Sequence, residues 1–265
     1  MISTTFDHAV ITVADLDRAI AEFSDLGFHV TPGGAHGRTA MAMVLFQDGT
    51  YIELIALQSG VLRGLLRLAG KTGLLRRILA KKPDVYRRLI AWFGSLQGPM
   101  DWCIRVEDLN EAVERWRQLG IKCLQSGAFH RTCPDGQTAK WLLGSPTSTV
   151  LPFAIEDLTD IRIRVPADPS SRHPNGALGI RSIRIAVANE QAARREFATA
   201  FQTNRIADRG CFRLGQTVIQ LSENVRSNAK FELELTCDGQ ECTLVAANAR
   251  INLVNAQPGE GLPVA

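Results

Sequence analysis

The run Tyr51-Ile52-Glu53-Leu54-Ile55 sets one carboxylate among apolar residues. Its length and residue types predict a strand over 51–57. Strand alternation turns Tyr51, Glu53 and Ile55 to one side and Ile52, Leu54 and Ala56 to the other. A carboxylate on such a surface is costly to bury unpaired, so Glu53 needs a cation, a proton or a hydrogen bond. His8 sits in a similar run, Asp7-His8-Ala9-Val10-Ile11. There Ala9, Ile11 and Val13 form an apolar side suited to packing beneath a helix, which leaves His8, Val10 and Thr12 facing a shared site. The same logic sends Asp101, Cys103 and Arg105 toward that site. Glu53 is then a candidate catalytic general base with a raised pKa. Two plainer readings stay open: Glu53 pairs with Arg105, and His8 is a half-buried histidine with its hydrogen bonds satisfied.

Other residues attract weaker readings. His36 and His130 occupy near-equivalent loops and either close the mouth of the pocket or are merely solvated. Tyr51, Thr12 and Arg105 complete the set facing a small-molecule ligand. Trp141 reads as core, and Cys103 as a packed thiol with no base beside it. The six cysteines are scattered without a C-x-x-C pair, which suggests reduced thiols in a cytoplasm.

The elements that position these residues repeat. Residues 6–13 read as a strand, and Asp15 as the N-cap of a helix. Leu16, Ile20, Phe23 and Leu26 share one helical face, and Gly27 ends it. A second strand is expected at 28–30, a loop at Pro32-Gly33-Gly34, and strands at 40–46 and 51–57 around Asp48-Gly49. The unit is βαβββ. Shifted by 93 residues it returns, with Asp15 becoming Asp108, the four apolar positions becoming Leu109, Val113, Trp116 and Leu119, and Gly27 becoming Gly120. Glu111 completes a capping box. The later strands of this copy are expected at 122–124, 139–143 and 151–155. A third, weaker copy has Val187, Asn189 as cap and Phe197, and closes at 216–221. Segments 231–237 and 243–254, flanking Asp238-Gly239, predict a further hairpin. The expected organisation is a first module at 1–60, a basic helical insertion at 61–97, a second module at 98–157 and a linker at 158–178. A degenerate third module follows at 179–225, then a C-terminal hairpin and tail at 226–265.

The chain has 265 residues, 45% apolar and 22% charged, ordinary values for a globular protein able to bury a core. No stretch approaches roughly 20 uninterrupted apolar residues, so no transmembrane segment is expected. The start reaches Asp7 without a charged-then-apolar leader, so no signal peptide is expected. The net charge of +3 is unevenly spread. Residues 61–97 hold nine Lys or Arg against one acid, Asp84, a local +8 that leaves −5 for the rest. That segment reads as two or three amphipathic helices interrupted near Pro83. It serves as a solvated face, a lid, or a peripheral contact for an anionic surface. No nucleic-acid motif accompanies it, and no nucleic-acid partner is expected.

Several strings resemble the glyoxalase-like branch of the vicinal-oxygen-chelate superfamily, which includes glyoxalases, extradiol dioxygenases and fosfomycin-resistance proteins. They are Asp7-His8-Ala9-Val10 with Ala14-Asp15-Leu16-Asp17, Thr31-Pro32-Gly33-Gly34 with His36, Tyr51-Ile52-Glu53-Leu54-Ile55, Leu151-Pro152-Phe153, and Arg172-His173-Pro174-Asn175-Gly176-Ala177. The resemblance implies an α+β fold of tandem βαβββ modules forming cupped mixed β-sheets, with helices packed on the outer faces. It implies a metal held by a His on the first strand and a Glu on the last strand of each unit. His8 and Glu53 match in the first unit. Asp101 stands at the second His position and Phe153 at or near the second Glu position; in the third unit Ser182 and Gln220 stand there. His8, Glu53 and Asp101 would hold a divalent Zn, Fe, Mn or Ni. The implied function is binding of a small oxygen-rich metabolite between the first two modules, with lyase, isomerase or dioxygenase chemistry. The alternatives are a metal-free binding or sequestering protein and an interaction protein using 61–97. Modules of this kind pair within one chain or across a homodimer, and the sequence leaves both open.

Overall fold

A computed structural model describes residues 4–166, 172–202, 211–223 and 229–256. Part of the predicted linker and the tail beyond residue 256 therefore lie outside the described residues. The first module runs β1 (Thr4–Thr12), α1 (Leu16–Asp25), β2 (Thr31–His36), β3 (Thr39–Leu45) and β4 (Tyr51–Leu57). Three helices follow: α2 (Gly60–Lys71), α3 (Leu74–Ala80) and α4 (Tyr86–Phe93). The second module is β5 (Gly98–Val106), α5 (Leu109–Gln118), β6 (Gly127–Thr132), β7 (Thr138–Gly144) and β8 (Phe153–Asp157). A single-turn helix α6 (Ile161–Arg164) leads out of it. The third comprises β9 (Ala177–Ala186), α7 (Glu190–Phe201), β10 (Cys211–Leu214) and β11 (Thr217–Ser222). The last strands are β12 (Phe231–Cys237), β13 (Cys242–Ala246) and β14 (Ala249–Asn255).

The three outer helices start where their sequences cap them. Asp15, Asp108 and Asn189 accept the backbone N–H of Arg18, Glu111 and Ala192 at 3.0, 2.8 and 2.7 Å. Each satisfies an orphan donor of the first turn. One helical face is then buried, with Phe23 in α1, Trp116 in α5 and Phe197 in α7.

The first two modules close on each other within one chain. Their eight strands form a barrel in the order β1-β4-β3-β2-β6-β7-β8-β5. First and last strands of each module run parallel, β1 beside β4 and β5 beside β8, while β1 meets β5 antiparallel. The other seam is narrow, with Ala35 of β2 opposite Thr132 of β6. The third module joins the C-terminal strands in a second sheet, β10-β11-β9-β12-β14-β13. Trp102 welds the two halves, stacked 6.0 Å from Phe6 on one side and 6.0 Å from Phe197 on the other. Apolar surface thus lies in two bodies, one between the sheets and their outer helices and one inside the barrel.

Three local expectations are corrected. The second strand is β2 at Thr31–His36, not 28–30, and Pro32-Gly33-Gly34 lies within it. A bulge between Pro32 and Gly34 admits those residues to the ladder. Gly34 has φ +93°, and a Cβ there would meet the Thr132 carbonyl oxygen at 2.8 Å, so only glycine suits the seam. In the second module, 122–124 contributes a lone bridge from Cys123 to Pro146, and the strand is β6 at Gly127–Thr132. Finally, β12 does not form a hairpin across Asp238-Gly239. It lies parallel to β14, and the tight turn is at Ala247 and Asn248, with φ of 46° and 61°. The strands β12, β13 and β14 reproduce the first, third and last strands of a module, with only residues 238–241 where the helix and second strand would be.

Among the described residues, no helix is long and apolar enough to cross a membrane.

Candidate functional site

A bulge in β1 builds the floor of the site. Phe6 pairs with Ile104 and His8 with Cys103, which leaves Asp7 as an extra residue. Phe6 packs under the helices with Ala9 and Ile11, whereas Val10 belongs to the barrel interior. The extra residue resets the alternation, so neighbours Asp7 and His8 both turn inward. His8 Nδ1 lies 2.7 Å from an Asp7 oxygen, and Nε2 lies 3.4 Å from Glu53 Oε2. The imidazole stacks on Tyr51 at 4.5 Å and meets the edge of Phe153 at 5.5 Å. Parallel pairing of β1 with β4 places Tyr51 opposite His8 and Glu53 opposite Val10, which brings the three together.

Arg164 of α6 sits beneath this group with every N–H engaged. It donates to both Asp7 oxygens at 2.9 and 3.1 Å, to both Asp157 oxygens at 2.6 and 2.9 Å, and to the Tyr51 hydroxyl at 2.6 Å. Five donors meet five acceptors, the full capacity of a guanidinium. Arg105 Nε adds a contact to Asp7 at 3.3 Å. Burial alone would raise the Asp7 pKa, but the Arg164 charge and the hydrogen bond from His8 hold it far below the usual carboxylate range. Burial works against a charged His8, yet hydrogen bonds to Asp7 and Glu53, and their charges, raise its pKa above the ordinary histidine value. Desolvation pushes the Tyr51 phenol and the Cys103 thiol well up.

Above the floor opens a cavity of about 500 Å³. Met41, Ile55, Phe129, Trp141, Leu143 and Phe153 contribute its barrel wall, and Leu62, Leu66, Leu89, Trp92 and Phe93 of the insertion close it from above. The inner faces of α2 and α4 are thus part of the site. Its polar lining is confined to His8, Arg38, Thr39, Tyr51, Glu53, Tyr86, Arg131 and Arg164. Glu53 is the one acid among these lining residues.

Asp101 is not with His8 and Glu53. It pairs with Val10, and an extra residue, Met100, follows toward the start of β5. Its carboxylate accepts from Arg88 Nε and Nη2 at 2.7 and 2.6 Å and from Trp92 Nε1 at 2.8 Å. Arg88 spends its other N–H groups on Ser145 and on the Ser148 and Leu151 carbonyls. Asp101 is therefore the buried anchor of α4. Thr12 donates to the Gly98 carbonyl at 3.4 Å, outside the cavity lining. Arg105 pairs with Asp7 rather than Glu53. His130 is on the exposed side of β6, since Phe129 and Arg131 take the inward positions. The His36 side chain lies outside the described residues.

Asp7, Arg131 and Arg164 join the site although the sequence reading did not include them, and Trp141, expected in the core, lines the cavity. Strict alternation assigned Asp7 to the wrong side, and only the bulge shows otherwise. Arg164 belongs to a connector whose sequence carries no signal of burial. Arg131 becomes visible once β6 starts at Gly127, which sets its phase, and Trp141 of β7 pairs with Phe129 on the same inward side.

The donor set can be tested against a metal. Asp7, His8 and Cys103 bring one potential ligand atom each within 4.8 Å of one another, a metal-like spacing. Both Asp7 oxygens, however, already accept from Arg164, and the Cys103 thiol is turned to the Ile104 carbonyl at 3.5 Å. The four-ligand pattern fares no better. Glu53 pairs with Val10, and the equivalent pairing in the second module is Cys103 with Phe153, so a phenyl ring stands where the second Glu would be. With Asp101 committed to Arg88, His8 and Glu53 remain, and two donors do not fit that centre.

Paired βαβββ modules closed around a shared cavity define the vicinal-oxygen-chelate fold. Residues 6–201 match the family described as glyoxalase-like domain, and the chain belongs to that family. No curated protein matches it. Among solved structures it resembles a hypothetical protein from Staphylococcus aureus, at 13% identity and a TM-score of 0.71, covering 96% of this chain and 100% of that one. It also resembles the Mn(II)-bound glyoxalase from Novosphingobium aromaticivorans, at 9% identity and a TM-score of 0.51, covering 96% of this chain and 82% of that one. At such identities the likeness is one of fold.

Proposed function

We propose that the chain binds a mainly apolar small molecule with an oxygen-bearing head in the cup between its first two modules, without a resident metal. The observation that carries this reading is the cavity itself. Its walls are aliphatic and aromatic, and His8, Glu53, Tyr51 and Arg164 form one connected polar cluster in the lining, the usual make-up of a small-molecule site. Glu53 and His8 supply paired acceptor and donor functions to the head, with Asp7 fixing the imidazole from behind. Should the bound molecule react, Glu53 is the group placed to take a proton from it, and His8 is placed to stabilise the carboxylate.

The test is a thermal-shift screen of apolar alcohols, ketones and carboxylates on chelator-treated protein. A ligand at about 100 times its Kd should add about 2.7 kcal/mol and raise Tm by a few degrees. Metal bound after gentle purification in supplemented medium should stay below about 0.1 per chain. Stoichiometric metal removed by His8→Ala, or responses unchanged by both His8→Ala and Glu53→Ala, would overturn the reading.

A second reading concerns the outer face of the insertion, which we propose docks on an anionic lipid surface. Seven of the nine exposed large apolar side chains among the described residues belong to the insertion; Val61, Leu65 and Leu68 on α2 and Leu74 and Ile78 on α3 are exposed and outside the cavity lining. Exposed Lys71, Arg76, Arg77, Lys81 and Lys82 accompany them, and residues 60–82 contain no acid. An uncovered aliphatic stripe beside cations suits a bilayer bearing acidic headgroups. Co-sedimentation with phosphatidylglycerol-containing vesicles should exceed that with phosphatidylcholine alone and weaken with salt. It should also weaken on charge reversal at Arg76, Arg77, Lys81 and Lys82. Equal binding to both vesicles, or a stable dimer that buries this face, would remove the proposal.

A further inference from the structure

Arg131 is a buried cation without a carboxylate. It lies on β6 at 5% exposure and lines the cavity. Arg88 and Arg164, the other two buried arginines of the described residues, each grip aspartates and use all five donors. Arg131 has no ion pair among the described residues. Its Nη2 donates to the Arg164 carbonyl at 2.8 Å, its Nη1 faces the Met41 sulfur at 2.9 Å, and its Nε has no hydrogen-bond partner. A thioether is a weak acceptor, and a neutral carbonyl does not balance a charge. The guanidinium also sits 6.0 Å from the Trp141 ring, which softens its charge without neutralising it. Burying an uncompensated cation is costly, and such groups normally have a counterion.

The surroundings hold Arg131 in place. A Cβ on Gly33 would fall 1.8 Å from the Met41 sulfur, and one on Gly34 would fall 3.8 Å from the Arg131 Cδ. The glycine pair in β2 thereby leaves room for Met41 and for the arginine stem beneath it. Glu53, the one acid of the lining, is taken by His8 at 3.4 Å. The site therefore contains a shaped place for one negative charge that the described residues do not fill.

We infer that the ligand is an apolar monoanion, of the alkyl or aryl carboxylate class, whose charged head pairs with Arg131 while its body fills the aliphatic and aromatic walls. Planar carboxylates match the guanidinium fork, and the pairing is made in a desolvated place where it counts most. This inference rests on the cavity being a ligand site, as proposed above.

The experiment compares matched pairs on the whole chain. Carboxylates of about eight to fourteen carbons, straight-chain and aryl, are titrated beside the alcohols of the same skeleton, with Tm and calorimetry as readouts. Carboxylates should bind at least about tenfold more tightly than their alcohols. In Arg131→Met the preference should fall to within about twofold, while Arg131→Lys, which keeps the charge and loses the fork, should retain part of it. The ligand-free Arg131→Met protein should be no less stable than the parent, because it loses a buried charge that lacks a partner. Equal binding of acid and alcohol by the parent would overturn the anion assignment and leave the cavity reading standing. Binding of neither class would overturn the cavity reading itself. A preference that survives Arg131→Met would place the anion elsewhere.

Discussion

Arg164→Met should lower the stability of the chain by about 3–5 kcal/mol, measured by chemical denaturation. The side chain that replaces it has similar length and apolar bulk, so the effect is electrostatic. Arg164 is the counterion of Asp7 and Asp157 and the donor to the Tyr51 hydroxyl, with all three residues drawn around one guanidinium. Removing it strands the buried Asp7 and the part-buried Asp157, of which Asp7 keeps His8 and a longer contact to Arg105. The Asp7→Asn change made on top of Arg164→Met should recover part of the loss, since it removes one of the stranded charges. A loss under about 1 kcal/mol would mean that the network is loosely held and that α6 does not fix the floor of the site.

The same network gives the stability a pH signature. Asp7 has a folded pKa far below its unfolded value, because Arg164 and His8 favour the carboxylate despite its burial. Its contribution is therefore fully present above an unfolded pKa of about 3.9 and is lost as pH falls below that. His8 has the opposite sign. Its folded pKa is raised, so its contribution is present below about 6.5 and is lost as pH rises through the elevated value. Asp7→Asn should flatten the acid limb of the curve and weaken the His8 limb, since Asp7 is one of the two groups that hold the imidazolium.

What could be read from the sequence was whatever the chain encodes locally. The 93-residue offset matched cap to cap and apolar face to apolar face, and Asp15, Asp108 and Asn189 do cap their helices. Gly27 and Gly120 close two of those helices with φ near +80°. The side of β4 that carries Tyr51 and Glu53 followed from alternation, as did the inward turn of His8. The features that escaped depend on irregularities and distant partners. A bulge costs one residue of register and leaves no mark in hydrophobic patterning, yet it moves Asp7 into the site. The Gly33-Gly34 pair looked like a loop because glycine usually signals one, and here it serves close packing within a strand. Arg88 and Arg164 come from the segments between modules, where a repeat comparison has nothing to align.

Arg88→Met is the variant that separates the two roles offered to Asp101. If Asp101 is the anchor of α4, the change should cost about 3 kcal/mol, because it leaves a carboxylate buried at 4% exposure with Trp92, a backbone N–H and the charge of nearby Lys230 to face it. Ser145 and the Ser148 and Leu151 carbonyls lose their donors as well. Adding Asp101→Asn should restore part of that stability, since the amide removes the stranded charge and still accepts from Trp92. The coupling energy of the cycle should fall within about 0.5–3 kcal/mol, favourable to the native pair. Ligand affinity should drop alongside stability, because Trp92 and Phe93 roof the cavity from the same helix. If Asp101 is instead a metal ligand held in reserve, releasing it from Arg88 should let the protein take up a divalent ion with His8 and Glu53, and that ion should offset the loss. The geometry favours the first outcome. Asp101 points at the insertion, where Trp92 donates to it; Trp92 packs 5.7 Å from Phe153, and it is Phe153 that meets the edge of His8.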